Sequence, residues 1–393
     1  MKTITWNFAL PALLDPAAPA RQLAAGGDVF AAVQAEQEHF LRTLAAFPEG
    51  SVSAALRFYY DPERSHPQER LIIELSGYAY EEAAAVSLGI LLRQGPVQRL
   101  HRLVAGAAAA IPFSQFSAAC DVLRWQGVLE ATVSNEFNSQ ALPAYYLIRP
   151  LTPRADNDYL LLDRIFSQLR EPALLEVAVA PADSTRDRSL FIRYLAHLQR
   201  MNRPWEYDDG EGSGADWGES RGHGLTMAVP PLCARDAVVD EVLRLTPRFL
   251  EKLAAPHLRF HIRCQARTPA VARLLASVVA ESAFTEGSYT LFSSAEGDDC
   301  FSSGQPGSPA VRPAGEAALA RLVGERRLGG YEGLGRWASL APAQELASVF
   351  RFPLAGQDSP CCIRKETDPH LIDEKELFIL GEDAQLSERS EGG

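Results

Sequence analysis

Hydrophobic and polar residues alternate with two different periods along the chain, and the changes of period predict where helices and strands lie. Residues 28–47 carry apolar side chains at helical spacing after Asp28, a favourable N-cap, so we expect a helix there. Residues 51–60 and 70–80 are rich in β-branched and aromatic side chains and are joined by a polar, proline-containing connection, which predicts a hairpin-like pair of strands. Residues 80–94 then predict a helix, because acids begin it and an arginine lies near its end.

The same two periods continue through the rest of the chain. Further helices are predicted at 112–127, 156–170, 189–201 and 268–284, and further strands at 144–151, 173–181, 256–265 and 289–294. This order predicts an α+β fold of split βαβ, ferredoxin-like units, in which helices cover one face of antiparallel or mixed sheets. We expect two or more subdomains.

One stretch interrupts the periodic pattern and predicts a boundary. Residues 205–224 are acidic and rich in glycine, with neither helical nor strand periodicity, and therefore predict a linker or exposed loop. We expect an N-terminal α/β region at 1–204 and a C-terminal α/β domain with a closing helix at 225–380. Residues 381–393 are hydrophilic and predict a disordered tail.

Composition narrows the class of protein. The formal charge of −12 disfavours a protein that wraps nucleic acid by itself, because such binders usually carry a basic excess. The six cysteines form no C-x-x-C pair, which favours a reducing cytoplasm. The longest apolar runs are too short to span a bilayer, so no membrane anchor is predicted.

A search for chemistry finds no credible active site. The sequence contains no G-x-x-x-x-G-K-[ST] loop and no G-x-S-x-G elbow. The glycine-rich stretches 210–218 and 329–337 follow no strong strand, which favours a loop and a turn over phosphate cradles. Asp298 and Asp299 are adjacent but have no neighbouring histidine or third acid. We therefore predict no catalytic residue, no metal ligand and no cofactor.

A row of basic side chains lies in the predicted strand 256–265. His257, Arg259, His261 and Arg263 alternate with apolar residues and so share one face. The neighbouring cations oppose metal binding by the two histidines. Two interpretations stay open: the solvated face of an ordinary strand, or a surface that contacts an anion or nucleic acid.

The sequence near residue 350 carries a resemblance to a known family. The stretch WASLAPAQELASVFRFPLAG resembles the segment that precedes the nucleotide-binding domain in HerA/FtsK-like ATPases related to conjugative type IV secretion motors. The residues that carry it are Glu345, Leu346, Ala347, Val349, Phe350, Phe352 and Pro353. ELFILGED at 376–383 is similar to the strand and turn that enter the motor, and the order of elements over 50–380 is similar to the region before it.

This resemblance implies a function without implying ATP hydrolysis. Where the family continues into the Walker lysine, this sequence reads DAQLSERSEGG. The expected function is a non-catalytic assembly or adaptor subunit that docks on a separately encoded HerA/FtsK-like P-loop ATPase, in DNA translocation, a mobile element or antiviral defence. An effector protein is a further expected partner, and DNA is reached through the complex.

The short helix in this stretch has two possible roles. Leu346, Val349, Phe350 and Phe352 are expected either to dock in a groove of the partner or to close the last domain. Two other functions stay open for the chain: a nuclease or hydrolase whose carboxylates converge only in the fold, and a nucleic-acid-binding module that uses the strand from His257 to Arg263.

Overall fold

The structure is a computed structural model, and its description covers most of the chain in ten ranges. The described residues are 3–14, 29–101, 103–106, 111–133, 141–154, 161–202, 236–245, 247–293, 328–353 and 364–366.

Most of the described strands belong to one large antiparallel sheet. In chain order the described strands are β1 (Ile4–Leu10), β2 (Ala12–Leu14), β3 (Val52–Tyr60), β4 (Leu71–Ala79), β5 (Val104–Ala105), β6 (Ala118–Arg124), β7 (Gln126–Glu130), β8 (Ala144–Ile148), β9 (Ala173–Pro181), β10 (His257–Ala266), β11 (Tyr289–Ser293), β12 (Leu340–Pro342) and β13 (Arg364–Glu366). Nine of them form the sheet, in the order β11-β6-β10-β9-β3-β4-β1-β5, and β12 pairs with the beginning of β10. Two small pairs lie outside it: β7 with β8, antiparallel, and β13 with β2, parallel.

Helices cover one face of this sheet. The described α-helices are α1 (Val29–Ala45), α2 (Glu82–Gln94), α3 (Pro96–Leu100), α4 (Leu161–Gln168), α5 (Thr185–Asn202), α6 (Ala237–Leu245), α7 (Pro247–Lys252), α8 (Pro269–Ala283) and α9 (Ala343–Leu346). Short 3-10 helices lie at Pro67–Glu69, Phe113–Gln115 and Glu332–Ser339. Apolar side chains of α1, α2, α4, α8 and α9 join alternate side chains of the sheet in the main core. The other side chains of the strands point to the opposite face, which we call the polar face.

A second core lies beside the main one. It is formed by β7, β8, α5, α6, α7 and the 3-10 helix Glu332–Ser339, and it contains Tyr146, Phe191, Tyr194, Phe249 and Trp337. Aromatic rings hold it together: the Phe249 ring centroid lies 4.9 Å from that of Phe191 and 5.3 Å from that of Trp337.

The predicted fold class is confirmed, since helices accompany a mostly antiparallel sheet in an α+β arrangement. Several elements match the predicted bounds closely. The strand predicted at 173–181 is β9 with the same ends, and α8 begins after Thr268, whose hydroxyl accepts a hydrogen bond from the backbone N–H of Val271. Asp28, the predicted N-cap of the first helix, lies outside the described residues.

The helix predicted at 112–127 is wrong. This segment contains only the 3-10 helix Phe113–Gln115 and then forms β6 and the start of β7. Strand β6 is buried on both faces, with Val122 facing the main core and Leu123 the polar face, both fully buried. A strand buried on both faces loses its alternation of polar and apolar residues, so its pattern resembles that of a helix.

The sheet contains strands from both sides of the predicted division of the chain. Strand β9, from the predicted region 1–204, pairs along its whole length with β10, from the predicted domain 225–380. Strand β6 likewise lies between β10 and β11. The two predicted regions therefore share one sheet instead of forming separate ones. The predicted linker at 205–224 and the tail at 381–393 lie outside the described residues.

Candidate functional site

A row of alternating charges crosses the polar face of the sheet. The strand register places five charged side chains directly opposite one another on adjacent strands, in the order Asp121, Arg263, Glu176, Arg57 and Glu74. We call these five residues the charge ladder. Cross-strand neighbours of opposite charge stabilise a sheet, whereas like charges in these positions would destabilise it.

Arg57 holds the centre of the charge ladder. Its Nε donates to Glu176 Oε2 at 2.6 Å, and its Nη1 donates to Glu74 Oε1 at 3.1 Å and to Ser76 Oγ at 3.0 Å. Its Nη2 donates to the hydroxyl of Tyr78 at 2.8 Å. All three guanidinium nitrogens are thus hydrogen-bonded although the residue is only 6% exposed. This degree of satisfaction is what allows a buried charge to be stable.

Asp121 occupies the end of the ladder on β6. Burial alone would raise the pKa of its carboxyl, but the charges and hydrogen bonds of His261 and Arg263 outweigh burial and lower the pKa to about 2. Asp121 Oδ1 accepts from His261 Nε2 at 3.0 Å and from Arg263 Nε at 2.9 Å. Its carboxylate is therefore ionised at neutral pH and neutralises this part of the strand.

The predicted basic row on β10 is neutralised or buried in the fold. Arg259 donates to Glu49 Oε1 at 2.6 Å, while His261 and Arg263 both contact Asp121. His257 is 1% exposed, and its Nδ1 lies 2.8 Å from the backbone oxygen of Ala255. The structure therefore places Arg259, His261 and Arg263 in contact with acids on this strand face, and it buries His257 against a backbone oxygen.

The fold brings carboxylates from separate strands to one face of the sheet, as the hydrolase alternative required. Each one, however, is bound to a cation: Glu74 and Glu176 to Arg57, and Asp121 to Arg263. Within the part of the chain that the structure describes, no three His, Cys, Asp or Glu side chains lie where they could hold one metal ion. The carboxylates of the charge ladder therefore neutralise the arginines of the sheet.

The segment that carries the family resemblance joins the two cores. We call residues 334–352 the strap. Its first part contributes Leu334, Trp337 and Leu340 to the second core, and its later part contributes apolar side chains to the main core. That later set is Ala341, Ala343, Leu346, Ala347, Val349, Phe350 and Phe352.

The partner-binding role expected for Leu346, Val349, Phe350 and Phe352 needs correction. These four side chains are at most 1% exposed. The Phe350 ring stacks on Phe40 of α1, with 5.7 Å between ring centroids. A groove on a partner could not reach them while the core is closed, so the second interpretation applies and they complete the main core.

Glu345 of the strap is buried between two cations. Its Oε2 accepts from Arg124 Nη2 at 2.7 Å, and its Oε1 accepts from Lys252 Nζ at 2.7 Å. Arg124 is the last residue of β6 and is fully buried. Lys252 is the last residue of α7, and its side chain is 33% exposed. One carboxylate therefore connects the sheet to a helix of the second core.

Several polar atoms around this glutamate have no hydrogen-bond partner among the described residues. They are Nε and Nη1 of Arg124, Nε2 of His257 and Nε1 of Trp337. The His257 and Trp337 rings are in contact, with centroids 5.2 Å apart, and the Arg124 guanidinium carbon lies 5.2 Å from the Phe249 ring centroid. Burial and the charge of Arg124 lower the pKa of His257 to about 3, so this imidazole is neutral.

An exposed apolar stripe runs along α2. Val86 is 67% exposed and Ile90 54%, and Ala83 and Ser87 are exposed on the same side. The opposite side of α2 is buried on the sheet, with Gly89 against the Trp6 ring of β1. A methyl group on Gly89 would lie 3.4 Å from that ring, which is an ordinary van der Waals distance, so the helix packs directly on Trp6. The apolar stripe (Ala83, Val86, Ser87, Ile90) thus lies on a firmly seated helix.

Sequence reasoning missed both the charge ladder and the apolar stripe. The available signal for the ladder was a lone charge within an apolar strand, as at Arg57, Glu74 and Glu176. The signal for the apolar stripe was that α2 has more apolar residues than one buried face requires, since Val86 and Ile90 stand outside the set that faces the core.

Comparison with known proteins does not assign this sequence to a family. The sequence matches no protein-family model and no curated protein. Among the described helices, none has both the length and the apolar character needed to cross a membrane.

Proposed function

We propose that this chain is a non-catalytic assembly subunit that docks, through the apolar stripe of α2, on a separate P-loop ATPase of the HerA/FtsK type. The observation that carries the docking proposal is the exposure of Val86 and Ile90 on one side of a seated helix. Apolar residues at i and i+4 on an exposed helix face are the usual anchors when a helix is held in a partner's groove.

The identity of the partner rests on the resemblance of the strap. Glu345, Leu346, Val349, Phe350 and Phe352 carry the resemblance to the segment that precedes the motor in that family. In this chain the same segment completes the main core and joins it to the second core. The setting would be DNA translocation, a mobile element or antiviral defence, with DNA reached through the complex.

The test is co-purification of the full chain with any P-loop ATPase whose gene lies beside its own. We expect one co-eluting complex in size-exclusion chromatography. The double variant Val86→Asp/Ile90→Asp should weaken binding by about 30-fold or more, because each residue would be an anchor of the interface. Unfolding of the free variant should be unchanged, since both side chains are already exposed.

Ile192→Asp is the matched control, because Ile192 is 51% exposed on α5 of the second core. It should leave the complex intact. If the wild-type chain elutes alone with every neighbouring ATPase, the assembly proposal fails. If Ile192→Asp weakens the complex as much as the α2 variant does, the docking surface has been placed wrongly.

A further inference from the structure

The connections between the two cores lie along one end of the sheet. Strand β6 ends at Arg124 and leads into β7, β9 ends at Pro181 and leads into α5, and β10 begins at His257 after α7. These three ends are neighbours, because β10 lies between β6 and β9 and Leu258 pairs with Pro181. The strap crosses at the same place, where β12 pairs with the beginning of β10. Crossings arranged in a line at element ends are positions where a hinge is possible.

The surface buried at this line is polar and only partly satisfied. Arg124 has one of its three guanidinium nitrogens hydrogen-bonded, to Glu345, and the other two lack partners among the described residues. Nε2 of His257 and Nε1 of Trp337 also lack described partners. Groups of this kind lose hydrogen bonds to water when the interface closes and regain them when it opens, so they lower the cost of opening relative to an apolar interface.

We propose that the second core opens from the sheet as a unit about this line of connections. The Glu345–Lys252 ion pair breaks, together with the Arg124–Phe249 and His257–Trp337 contacts. Ala343, Leu346, Val349 and Phe350 fix the later strap in the main core, so Glu345 stays with the sheet. Arg124 also stays, because it belongs to β6. The Arg124–Glu345 pair then remains intact and becomes hydrated, which avoids leaving an isolated buried charge.

The residues that leave are those of the second core. Lys252 is already 33% exposed, so its ammonium exchanges a carboxylate for water at small cost. Phe249 and Trp337 move together, because both belong to the second core and their rings are in contact. This opening requires no docking on an ATPase.

Hydrogen exchange of the full wild-type chain at low denaturant concentrations tests this directly. The amides of α5 and α7 should share one opening, with a lower free energy and a weaker denaturant dependence than the opening that exposes β3 and β9. A single opening common to α5, α7, β3 and β9 would overturn the proposal. This measurement needs no variant.

A pair of substitutions tests the cause. Arg124→Met/Glu345→Met replaces the polar contact with apolar side chains of similar length and should slow the exchange of α5 and α7 by about tenfold or more. Lys252→Met is the matched control and should change this exchange by less than about threefold, because Arg124 and Glu345 remain paired. If the double variant is folded and its α5 and α7 amides exchange faster than those of the wild type, the buried charges hold the cores together and the proposal is wrong.

Discussion

Two buried arginines in this molecule have opposite surroundings. Arg57, on the polar face, uses all three guanidinium nitrogens in hydrogen bonds to Glu176, Glu74, Ser76 and Tyr78. Arg124, between the two cores, uses one nitrogen, in its bond to Glu345. Both residues are at least 94% buried, so the difference lies in their partners and not in their exposure.

The pKa values of the two groups move in opposite directions for this reason. Burial lowers the pKa of both guanidinium groups. At Arg57 the attraction of Glu176, Tyr78 and Glu74 outweighs burial and the pKa is raised. At Arg124 burial outweighs the attraction of Glu345, and the pKa is lowered. Burial is therefore outweighed at Arg57, where several partners surround the guanidinium, and it is not outweighed at Arg124, where the attraction comes mainly from Glu345.

The largest effect is expected from removing the centre of the charge ladder. Arg57→Met would leave Glu74 and Glu176 without the cation that binds them, and should lower the free energy of unfolding by about 3–5 kcal/mol. Urea unfolding of the purified chain measures this. Arg259→Met is the matched control, because its bond to Glu49 is partly exposed, and it should cost less than about 1 kcal/mol. Equal losses in the two variants would contradict the special role of the ladder.

A second effect should appear as a dependence of stability on pH. His101 is 2% exposed beside Phe352 of the strap, and neither ring nitrogen has a partner among the described residues. Burial lowers its pKa to about 4, whereas an unfolded histidine titrates near 6.5. As the pH falls, the unfolded chain therefore binds a proton at this histidine before the folded chain does. The free energy of unfolding is unaffected by His101 above a pH of about 6.5, and it decreases by up to about 3 kcal/mol as the pH falls toward about 4.

Replacing the His101 ring tests whether its burial causes this pH dependence, because the replacement removes a polar group without a described partner from beside Phe352. His101→Phe should flatten the decline of the unfolding free energy between pH 7 and pH 5. His257, whose pKa is also lowered, leaves part of the decline in place. His39→Phe serves as the control, since His39 is exposed on α1 and should leave the pH profile unchanged. Parallel profiles for wild type and His101→Phe would rule out this role of burial.

The smallest effect is expected at Lys252. Its ammonium lies at the partly exposed end of the interface, and its loss leaves Arg124 bound to Glu345. Lys252→Met should change the free energy of unfolding by less than about 1 kcal/mol, as measured by urea unfolding. A loss as large as that of Arg57→Met would mean that Glu345 depends on both cations and that the two arginine sites are alike.

The sequence predicted the elements whose two faces differ. Strand β10 alternates basic and apolar residues because one face meets the main core and the other meets paired acids, so its bounds were found within one residue. Strand β6 has an apolar residue, Leu123, on the polar face and a buried charge, Arg124, at its end. Its polar and apolar residues therefore do not alternate regularly, and the sequence does not predict a strand there. The α+β class could be predicted from the elements whose two faces differ, without identifying β6.

The sites were harder to predict because they depend on pairings between distant strands. Nothing local to Arg57 indicates that Glu74 and Glu176 lie on its two sides, since the second is 119 residues away. The same is true of Glu345 and Arg124, which are separated by 221 residues. The basic row on β10 was identified correctly as sharing one face, but its neutralising partners on β6 and in the loop at Glu49 became apparent only from the register.

The most direct test of the contrast compares two matched double variants in urea unfolding. Arg57→Met/Glu176→Met removes an ion pair from the satisfied network and leaves Glu74, Ser76 and Tyr78 without the guanidinium they bind. Arg124→Met/Glu345→Met removes an ion pair from the partly satisfied interface. We predict that the first variant unfolds at a clearly lower urea concentration than the wild type, and the second at the same or a higher one. A second variant destabilised as much as the first would contradict the account.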